Sequence, residues 1–224
     1  MVIKAAIFDF NGTLFWDSDI NYKAWYNCIK RWLNTTYTLE QYALLNGRTT
    51  YETLEKVFSK KLSKNEIENL SYEKDKEYLK VMKEEKDKIS LATGVESLLK
   101  QLIENNIYIA IATSAPPSLM REYEKIFKLS RYFKKENIIA SDGTIASKPD
   151  PAIYIKAIKT LNVKPENCIV FEDTKSGIIS ASRANIHKII AINSIGSDIK
   201  TTANLKETNF YINNFDEINI KDLL

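Results

Sequence analysis

IKAAIFDFNGT, residues 3–13, joins a short apolar run to a polar loop. Apart from Lys4, the run Ile3–Phe8 is apolar throughout, which is typical of a strand buried on both faces of a parallel sheet. Asp9 and Asn11 follow this run directly, and open α/β sheets place their ligands at the carboxyl ends of their strands. The stretch therefore predicts a parallel sheet and a functional site at its edge.

The same alternation continues along the chain, where short runs rich in β-branched residues are separated by helical periods. One helical period is the apolar stripe of residues 95–103, and another is the stripe of residues 153–161. This order of elements is typical of an α/β fold with a Rossmann-like parallel sheet. We predict its strands at residues 3–8, 108–112, 138–140, 168–171, 189–192 and 210–212.

The segment between the first two predicted strands is too long for a simple connection. A crossover between neighbouring parallel strands needs about a dozen residues, whereas residues 15–90 contain no proline and almost no strand pattern. Their apolar residues follow helical periods instead, and we interpret the Lys/Glu-rich run that ends at Lys88 as a solvated helix face. We therefore predict a helical cap subdomain over residues 15–90, inserted into a core made of residues 1–14 and 91–224.

Composition and charge exclude several classes of function. The 224 residues carry a formal net charge of only +3, which gives no basis for a nucleic-acid or membrane partner. The single histidine, His187, argues against catalytic triads and His-rich zinc sites, and the glycine spacing matches no dinucleotide fingerprint or P-loop. Cys28 and Cys168 lie far apart in apolar contexts, so we expect free thiols in a reducing cytoplasm. We also expect a monomer with no secretory signal and no membrane span.

Four short polar motifs stand where predicted elements begin or end. Each alone has an ordinary explanation: Thr113 could end a strand, Lys148 could be a surface lysine, and Asp173 could cap the helix that follows it. Found together in this order, the motifs indicate one shared site at the carboxyl edge of the sheet. They are Asp9-Phe10-Asn11-Gly12-Thr13, Thr113-Ser114, Ser147-Lys148-Pro149 at the opening of a helix, and Phe171-Glu172-Asp173.

With these motifs, the chain resembles the haloacid dehalogenase-like hydrolases, and more narrowly their β-phosphoglucomutase and phosphoglycolate-phosphatase branch. The resemblance extends from the first strand to residues 215–217 and includes the runs 147–151 and 171–177. It implies a parallel-sheet core with a helical cap inserted after the first motif. It also implies a Mg²⁺-dependent phosphatase that hydrolyses a small phosphorylated metabolite through an aspartyl-phosphate on Asp9.

The resemblance implies how the nucleophile and the metal are held. Asp9 corresponds to the aspartate that attacks phosphorus, a covalent route that is open to carboxylates. Asp9, the main-chain carbonyl of Asn11 and Asp173 correspond to the ligands of Mg²⁺, which prefers oxygen ligands that include one or two carboxylates. Glu172 corresponds to a residue that holds a metal-bound water.

The resemblance also implies how the phosphoryl group is bound. Lys148 corresponds to the residue that pairs with both the nucleophile and the phosphoryl oxygens. The Thr113 hydroxyl and the main-chain N–H groups at Ser114 and around Gly12 would cradle the remaining oxygens. Gly177, by contrast, is expected to allow close packing of its helix rather than to touch the ligand.

Asn11 departs from the family at a position that matters for catalysis. The first motif usually carries a second aspartate there, which protonates the leaving group and later activates the hydrolytic water. An amide has no titratable proton near neutral pH, and general acid–base groups contribute roughly 10²–10⁴-fold. Three explanations stay open: another proton donor, a substrate with a good leaving group such as an acyl phosphate, or a residue changed on purpose to trap a phosphorylated or substrate-bound form.

The predicted cap departs from the family as well. Relatives often have an aspartate and a histidine where Trp16 and Asn21 stand, and Asp17 is displaced by one position. Trp16 either roofs the substrate pocket or packs the cap hinge, while Arg48 either contacts substrate or lies at the surface. Thr50 replaces the arginine of the mutases. We therefore keep two alternatives to a phosphatase: a β-phosphoglucomutase-like sugar-phosphate mutase, and a catalytically impaired phosphate-ligand binding protein.

Overall fold

The computed structural model describes residues 2–43, 45, 50–194, 197 and 199–223. Arg48, a predicted substrate-binding residue, lies outside the described residues. The chain divides into two units, which we describe separately. The core unit comprises Met1–Trp16 and Ser90–Leu224, and the helical unit comprises Asp17–Ile89. That the helical unit acts as a cap stays a prediction.

A parallel sheet forms the centre of the core unit, with the strand order β3-β2-β1-β4-β5-β6. It confirms the predicted α/β fold, and every predicted strand is present within two residues of its expected bounds. Runs of this kind are easy to assign because strands buried on both faces carry few polar residues. The strands are β1 (Ala5–Phe8), β2 (Tyr108–Thr113), β3 (Ile138–Ala140), β4 (Cys168–Glu172), β5 (Lys188–Ile192) and β6 (Phe210–Ile212).

The register of the central strands determines where the site can form. Phe8, the last residue of β1, pairs with Ile111 of β2 and with Phe171 of β4. These three strands therefore end at nearly the same level. The strand order changes direction between β1 and β4, and such a switch point is where open α/β sheets leave a crevice for ligands.

The helical unit has an apolar core of its own. Its helices are α1 (Ser18–Leu33), α2 (Leu39–Ala43), α3 (Thr50–Phe58) and α4 (Lys64–Glu84). Trp25 and Ile29 of α1 pack with Leu54 and Val57 of α3, as the helical spacing of these residues predicts. The unit is therefore held together by apolar faces of its helices.

The charged helix α4 is not the fully solvated face that its Lys/Glu-rich sequence suggested, because Lys74 and Glu77 are buried. The Lys74 ammonium lies 4.9 Å from the centroid of the Tyr78 ring. Glu77 accepts hydrogen bonds from Asn27 and Arg31 of α1 at 2.9 and 3.2 Å. The prediction was wrong at these positions, since an aromatic ring and donors from a neighbouring helix compensate the buried charges.

The core unit also contains α-helices. They are α5 (Val95–Glu104), α6 (Pro117–Phe127), α7 (Ala152–Leu161), α8 (Lys175–Arg183), α9 (Ile199–Thr202) and α10 (Ile220–Leu223). Ile7 and Val170 belong to the cluster that includes residues of α7 and α8. Phe8 and Phe171 point to the other face, where their rings stack with centroids 4.7 Å apart. Among the helices in the described part of the chain, none combines the length and apolarity that crossing a membrane requires.

Candidate active site

The carboxyl edge of the sheet brings together charged residues that are far apart in sequence. Asp9 follows β1, and its main-chain N–H donates to the Phe171 carbonyl of β4 at 3.0 Å. Glu172 is the last residue of β4, and Asp173 follows it. These three carboxylates are buried, as is Lys148. The structure therefore gathers four of the predicted site residues at one edge.

Lys148 joins two of these carboxylates. Its ammonium donates to Asp9 Oδ1 at 2.6 Å and to Glu172 Oε1 at 2.5 Å. Burial alone would lower the pKa of Lys148, but the negative charges of Asp9 and Glu172 raise that pKa well above its usual range. The ammonium therefore stays charged, and the alternative of a surface lysine is wrong.

The loop that carries Lys148 is anchored to the rest of the core unit. Helix α7 begins at Ala152, so the predicted motif 147–149 precedes this helix by a short loop instead of opening it. From α8, the guanidinium of Arg183 donates to the Pro149 carbonyl at 3.1 Å. This bond holds the backbone directly after the lysine.

Glu172 is held by protein donors at both of its oxygens. Oε1 accepts from Lys148 and from the Tyr154 hydroxyl, which lies 3.1 Å away. Oε2 accepts from the main-chain N–H and the hydroxyl of Thr174 at 2.9 and 3.0 Å. Gly177 permits this arrangement, because a Cβ at that position would overlap the Glu172 carboxylate. Glu172 is thus an anchor for Lys148, and its role beside a metal stays a prediction.

Asp173 is enclosed by the loop of the first motif. Its Oδ1 accepts a hydrogen bond from the Thr13 hydroxyl at 3.1 Å. Gly12 has a φ of +81°, and a Cβ there would overlap the Asp173 carboxylate, so both the backbone conformation and the close approach require glycine. Burial, together with the charges of Glu172 and Asp9, raises the pKa of Asp173 well above its usual range. A cation beside Asp173 would favour the ionised carboxylate and so oppose this rise in pKa.

The alternative that Asp173 caps the following helix is wrong. Thr174 is the N-cap residue of α8, and its hydroxyl accepts from the Gly177 N–H at 3.1 Å. A threonine at this position satisfies one of the N–H groups that a helix leaves without an internal partner. Helix α8 therefore does not need the Asp173 carboxylate.

The donor set at this edge fits a divalent cation. Of the buried charged residues that the structure describes in the core unit, three are carboxylates and one is an ammonium. An excess of buried charge of one sign is costly, so a further positive charge at this edge would stabilise the site. The described residues contain no cluster of three or more His, Cys, Asp or Glu ligands, but Mg²⁺ needs only one or two carboxylates beside other oxygens. Asp9, the Asn11 carbonyl and Asp173 would supply such a set.

The predicted phosphate-binding groups differ in how they are placed. Thr113 is buried at the end of β2 and accepts from the Ala115 N–H at 3.1 Å, which leaves its O–H hydrogen to donate to a ligand. Ser114 is exposed and follows it. The Gly12 N–H donates to the Phe15 carbonyl at 2.7 Å. The loop itself thus uses the Gly12 N–H, and the binding of phosphoryl oxygens by main-chain N–H groups around Gly12 stays a prediction.

Asn11 and Trp16 make contacts that the sequence did not predict. The side-chain amide of Asn11 donates to the Tyr123 hydroxyl of α6 at 2.9 Å. The indole N–H of the half-buried Trp16 donates to the Thr13 carbonyl at 3.1 Å. Both side chains are thus tied to the core unit, and contact of Trp16 with substrate stays a prediction.

In the helical unit, residues that depart from the pattern implied by the family resemblance form hydrogen bonds within that unit. Asp17 is buried directly before α1 and accepts from the Tyr78 hydroxyl of α4 at 2.7 Å. Asn21, at a position where the family resemblance implies a histidine, donates to the Tyr42 hydroxyl of α2 at 2.9 Å. These bonds connect three helices, which gives both polar residues a structural reason to be there.

Sequence reasoning did not single out four residues that support the site. Thr13 and Thr174 stand inside motifs that were recognised, so their closeness to the site was detectable. Tyr123 and Tyr154 lie on apolar faces of α6 and α7, where a tyrosine has the pattern of any core residue. The ring centroid of Tyr154 lies 5.0 Å from the Lys148 ammonium. No local pattern reveals such a contact between elements.

Known proteins resemble this chain in both sequence and fold. The family model of the haloacid dehalogenase-like hydrolases matches residues 6–191. A crystal structure of a HAD hydrolase, family IA, variant 3, from Entamoeba histolytica is 34% identical to this chain. The two structures align over 99% of this chain and 97% of the Entamoeba chain, with a TM-score of 0.92.

Two curated relatives carry names that describe an activity. The phosphorylated carbohydrates phosphatase of Thermotoga maritima is 29% identical over 194 residues, which make up 85% of either chain. The beta-phosphoglucomutase of Bacillus subtilis is 26% identical over 193 residues, covering 84% of this chain and 82% of the relative. The family match spans most of the sequence and includes β2, β3, β4, all of β1 except Ala5, and the motif at the end of β4. The chain therefore belongs to the haloacid dehalogenase-like hydrolase family.

Proposed function

We propose that this enzyme is a Mg²⁺-dependent phosphatase that hydrolyses a small phosphorylated carbohydrate through an aspartyl-phosphate on Asp9. The observation that carries the proposal is the buried pair of Asp9 and Lys148, whose charged atoms lie 2.6 Å apart. Asp173 lies at the same edge of the sheet and adds a second buried carboxylate. The carbohydrate is inferred from the Thermotoga relative, which is named for phosphorylated carbohydrates.

Asp9 is the nucleophile of the proposed mechanism. One of its carboxylate oxygens attacks phosphorus, the P–O bond to the leaving group breaks, and an aspartyl-phosphate forms. Lys148 balances the negative charge of Asp9 and of the transferring phosphoryl oxygens, so that two anionic groups can approach each other. A water then attacks the phosphorus, the P–O bond to Asp9 breaks, and phosphate leaves while a proton of that water passes to solvent.

The metal would be held by Asp9, the main-chain carbonyl of Asn11 and Asp173. When bound, Mg²⁺ neutralises charge between the attacking carboxylate and the phosphoryl group. Glu172 has protein donors at both oxygens, which supports a place outside direct coordination. Its task in this mechanism is to keep Lys148 in position.

The phosphoryl oxygens would be bound by side-chain and main-chain donors at the end of β2. The Thr113 hydroxyl has its hydrogen to donate, because its oxygen already accepts from a main-chain N–H. The main-chain N–H of Ser114 is the neighbouring donor of the loop. Together with Lys148, these groups would place phosphorus opposite the Asp9 carboxylate.

Asn11 limits the leaving groups that the enzyme can use. Its amide cannot protonate the departing oxygen, so the leaving group takes its proton from water. Substrates with acidic leaving groups need the least assistance and should be turned over fastest. The same lack of a carboxylic acid argues against a sugar-phosphate mutase, although the Bacillus relative carries that name.

A panel of phosphorylated metabolites, assayed with and without Mg²⁺, tests the proposal. We expect phosphate release in Mg²⁺, none in EDTA, and none from Asp9→Asn. Asp222 is exposed on α10, so Asp222→Asn is a matched control that should keep full activity. Isomerisation of a sugar phosphate without net phosphate release would favour the mutase. Binding of phosphorylated ligands without turnover would favour an impaired binding protein.

The proposed setting is a reducing cytoplasm, where the enzyme acts as a monomer on a small metabolite. Cys28 and Cys168 are free and buried. Burial raises the pKa of Cys28 to about 11 and that of Cys168 to about 12, so both thiols stay protonated and poorly reactive. Light scattering in solution tests the monomer, and a stable dimer would contradict it.

A further inference from the structure

Asn11 and Tyr123 form a hydrogen-bonded pair that the proposed mechanism does not use. Asn11 lies in the loop after β1, two residues from the nucleophile Asp9, while Tyr123 lies on α6. The side-chain Nδ2 of Asn11 donates to the Tyr123 hydroxyl at 2.9 Å. The partners are 112 positions apart in sequence, so neither turn geometry nor helix spacing accounts for the bond.

Tyr123 is held in place by aromatic neighbours. Its ring stacks on Phe10 with centroids 4.7 Å apart, and it meets Phe15 and Phe127 at 6.0 and 6.2 Å. The side chain is fully buried. Phe10 and Phe15 flank the loop that carries Asn11, so the tyrosine hydroxyl is fixed relative to that loop.

We propose that Tyr123 is a positioning residue that fixes the Asn11 side chain for the hydrolysis of phospho-Asp9, a role that rests on the proposed function. An asparagine amide has two N–H donors and an oxygen that only accepts. With Nδ2 turned to Tyr123, the Oδ1 atom occupies the other side of the amide. Oδ1 then orients an O–H bond of the water that attacks phosphorus, while the proton of that water still passes to solvent.

The hydroxyl of Tyr123 matters because an amide has no strong rotational preference of its own. The χ2 angle of asparagine is broad and roughly two-fold, so an unanchored amide exchanges its oxygen and nitrogen positions. A water that meets N–H groups in place of Oδ1 is turned the wrong way for attack on phosphorus. The pair thus performs the orienting part of the usual aspartate's task, without its acid–base part.

The Asn11 amide signals report this hydrogen bond without any turnover. In ¹H–¹⁵N spectra of the substrate-free protein, Asn11→Ala identifies the two Nδ2 protons by their loss. Tyr123→Phe keeps the ring and its packing but removes the acceptor. In that variant we expect the two signals to move and their exchange with water to become about fivefold faster, the factor that one ordinary hydrogen bond supplies.

Rapid-quench kinetics test the role in hydrolysis. With p-nitrophenyl phosphate, departure of the leaving group needs no proton, so decay of the phosphoenzyme is observed separately. We expect Tyr123→Phe to slow this decay about fivefold, which is the effect of losing one ordinary hydrogen bond. The ratio kcat/KM should not change, because it covers only the steps up to phosphoenzyme formation. Tyr108→Phe removes an exposed hydroxyl from the same unit and should change neither quantity.

The double variant decides between positioning and packing. In an Asn11→Ala background, Tyr123→Phe should have no further effect on the decay rate, because the partner is already absent. An equal slowing in that background, or unchanged Asn11 signals in Tyr123→Phe, would overturn the proposal. If the wild-type protein forms no phosphoenzyme and releases no phosphate, the proposed function fails and the role in hydrolysis falls with it. The NMR signals would then still decide whether Tyr123 holds Asn11.

Discussion

Lys148 stays buried because a chain of polar contacts surrounds it. Tyr154 and Thr174 donate to Glu172, Glu172 accepts from Lys148, and Lys148 donates to Asp9. Removing one partner of a buried polar group leaves the next one unsatisfied, at a cost of about 1–3 kcal/mol and more for charged groups. Asp9, the proposed nucleophile, is therefore coupled through Lys148 and Glu172 to Tyr154 and Thr174.

Glu172 and Asp173 should differ in their effect on the metal. Glu172→Gln keeps the shape of the side chain but weakens its hold on Lys148, so we expect activity to fall roughly 10–100-fold, as for other groups that support a site from outside. Asp173→Ala removes a proposed direct ligand and should raise the Mg²⁺ concentration needed for half-maximal activity much more. Magnesium titrations of both variants measure this difference. The reverse ranking would mean that Glu172, and not Asp173, binds the metal directly.

Asn11→Asp should restore the acid–base step that Asn11 lacks. It places a carboxylic acid beside the leaving oxygen and keeps the main-chain carbonyl proposed for the metal. We expect kcat/KM for alkyl phosphates to rise at least about tenfold, the low end of the general-acid range. Acyl phosphates should change little, because their leaving group needs no proton. An unchanged or lower alkyl-phosphate rate would show that the enzyme has another proton route, or that its chemistry never needed one.

At the level of elements, the first turn of α8 is shaped by Gly177. Alanine is the better helix former by about 1 kcal/mol, but its Cβ would overlap the Glu172 carboxylate. We therefore expect Gly177→Ala to lower the free energy of unfolding by about 1–3 kcal/mol, the usual cost of overpacking, and to lower kcat. Thermal melts and phosphatase assays measure both effects. Lys175→Ala, at an exposed position of the same helix, should leave both unchanged.

The strands could be predicted from sequence more completely than the helices. Each strand of the sheet is a local apolar run, and its buried neighbours are other runs of the same kind. The burial of Lys74 and Glu77 could not be predicted in this way, because the groups that compensate their charges include side chains of α1. For the same reason, the spacing of apolar residues in α6 and α7 gives Tyr123 and Tyr154 the pattern of ordinary core residues. A contact between two elements cannot be predicted from the spacing of apolar residues within one of them.

At the scale of the whole molecule, the site could be predicted because a parallel sheet collects the ends of its strands at one edge. Asp9 and Asp173 are far apart in sequence, yet the pairing of β1 with β4 makes them neighbours. Substrate choice could not be predicted in the same way. Asn21 and Thr50 of the helical unit depart from the pattern that the family resemblance implies, and Arg48 lies outside the described residues.

The buried charged groups of the core unit predict that Mg²⁺ stabilises the folded enzyme. Folding buries three carboxylates with one ammonium, whereas the unfolded chain exposes them all to water. A ligand that binds only the folded state adds RT ln(1 + [L]/Kd), about 2.7 kcal/mol at a hundred times Kd. At about 2–4 °C per kcal/mol for a chain of this size, the melting temperature should rise by about 5–10 °C. Thermal melts in Mg²⁺ and in EDTA, at matched ionic strength, measure this shift.

Asp173→Asn separates the charge of this residue from its shape. The amide oxygen can still accept from Thr13, but one buried negative charge is gone, so in EDTA the variant should melt above the wild type. In Mg²⁺ the order should reverse, because a proposed ligand has been weakened. Asp222→Asn, at an exposed position, should follow the wild type in both buffers. A wild type that melts at the same temperature in both buffers, or an Asp173→Asn protein that is the less stable one in EDTA, would show that these carboxylates are already balanced within the folded chain.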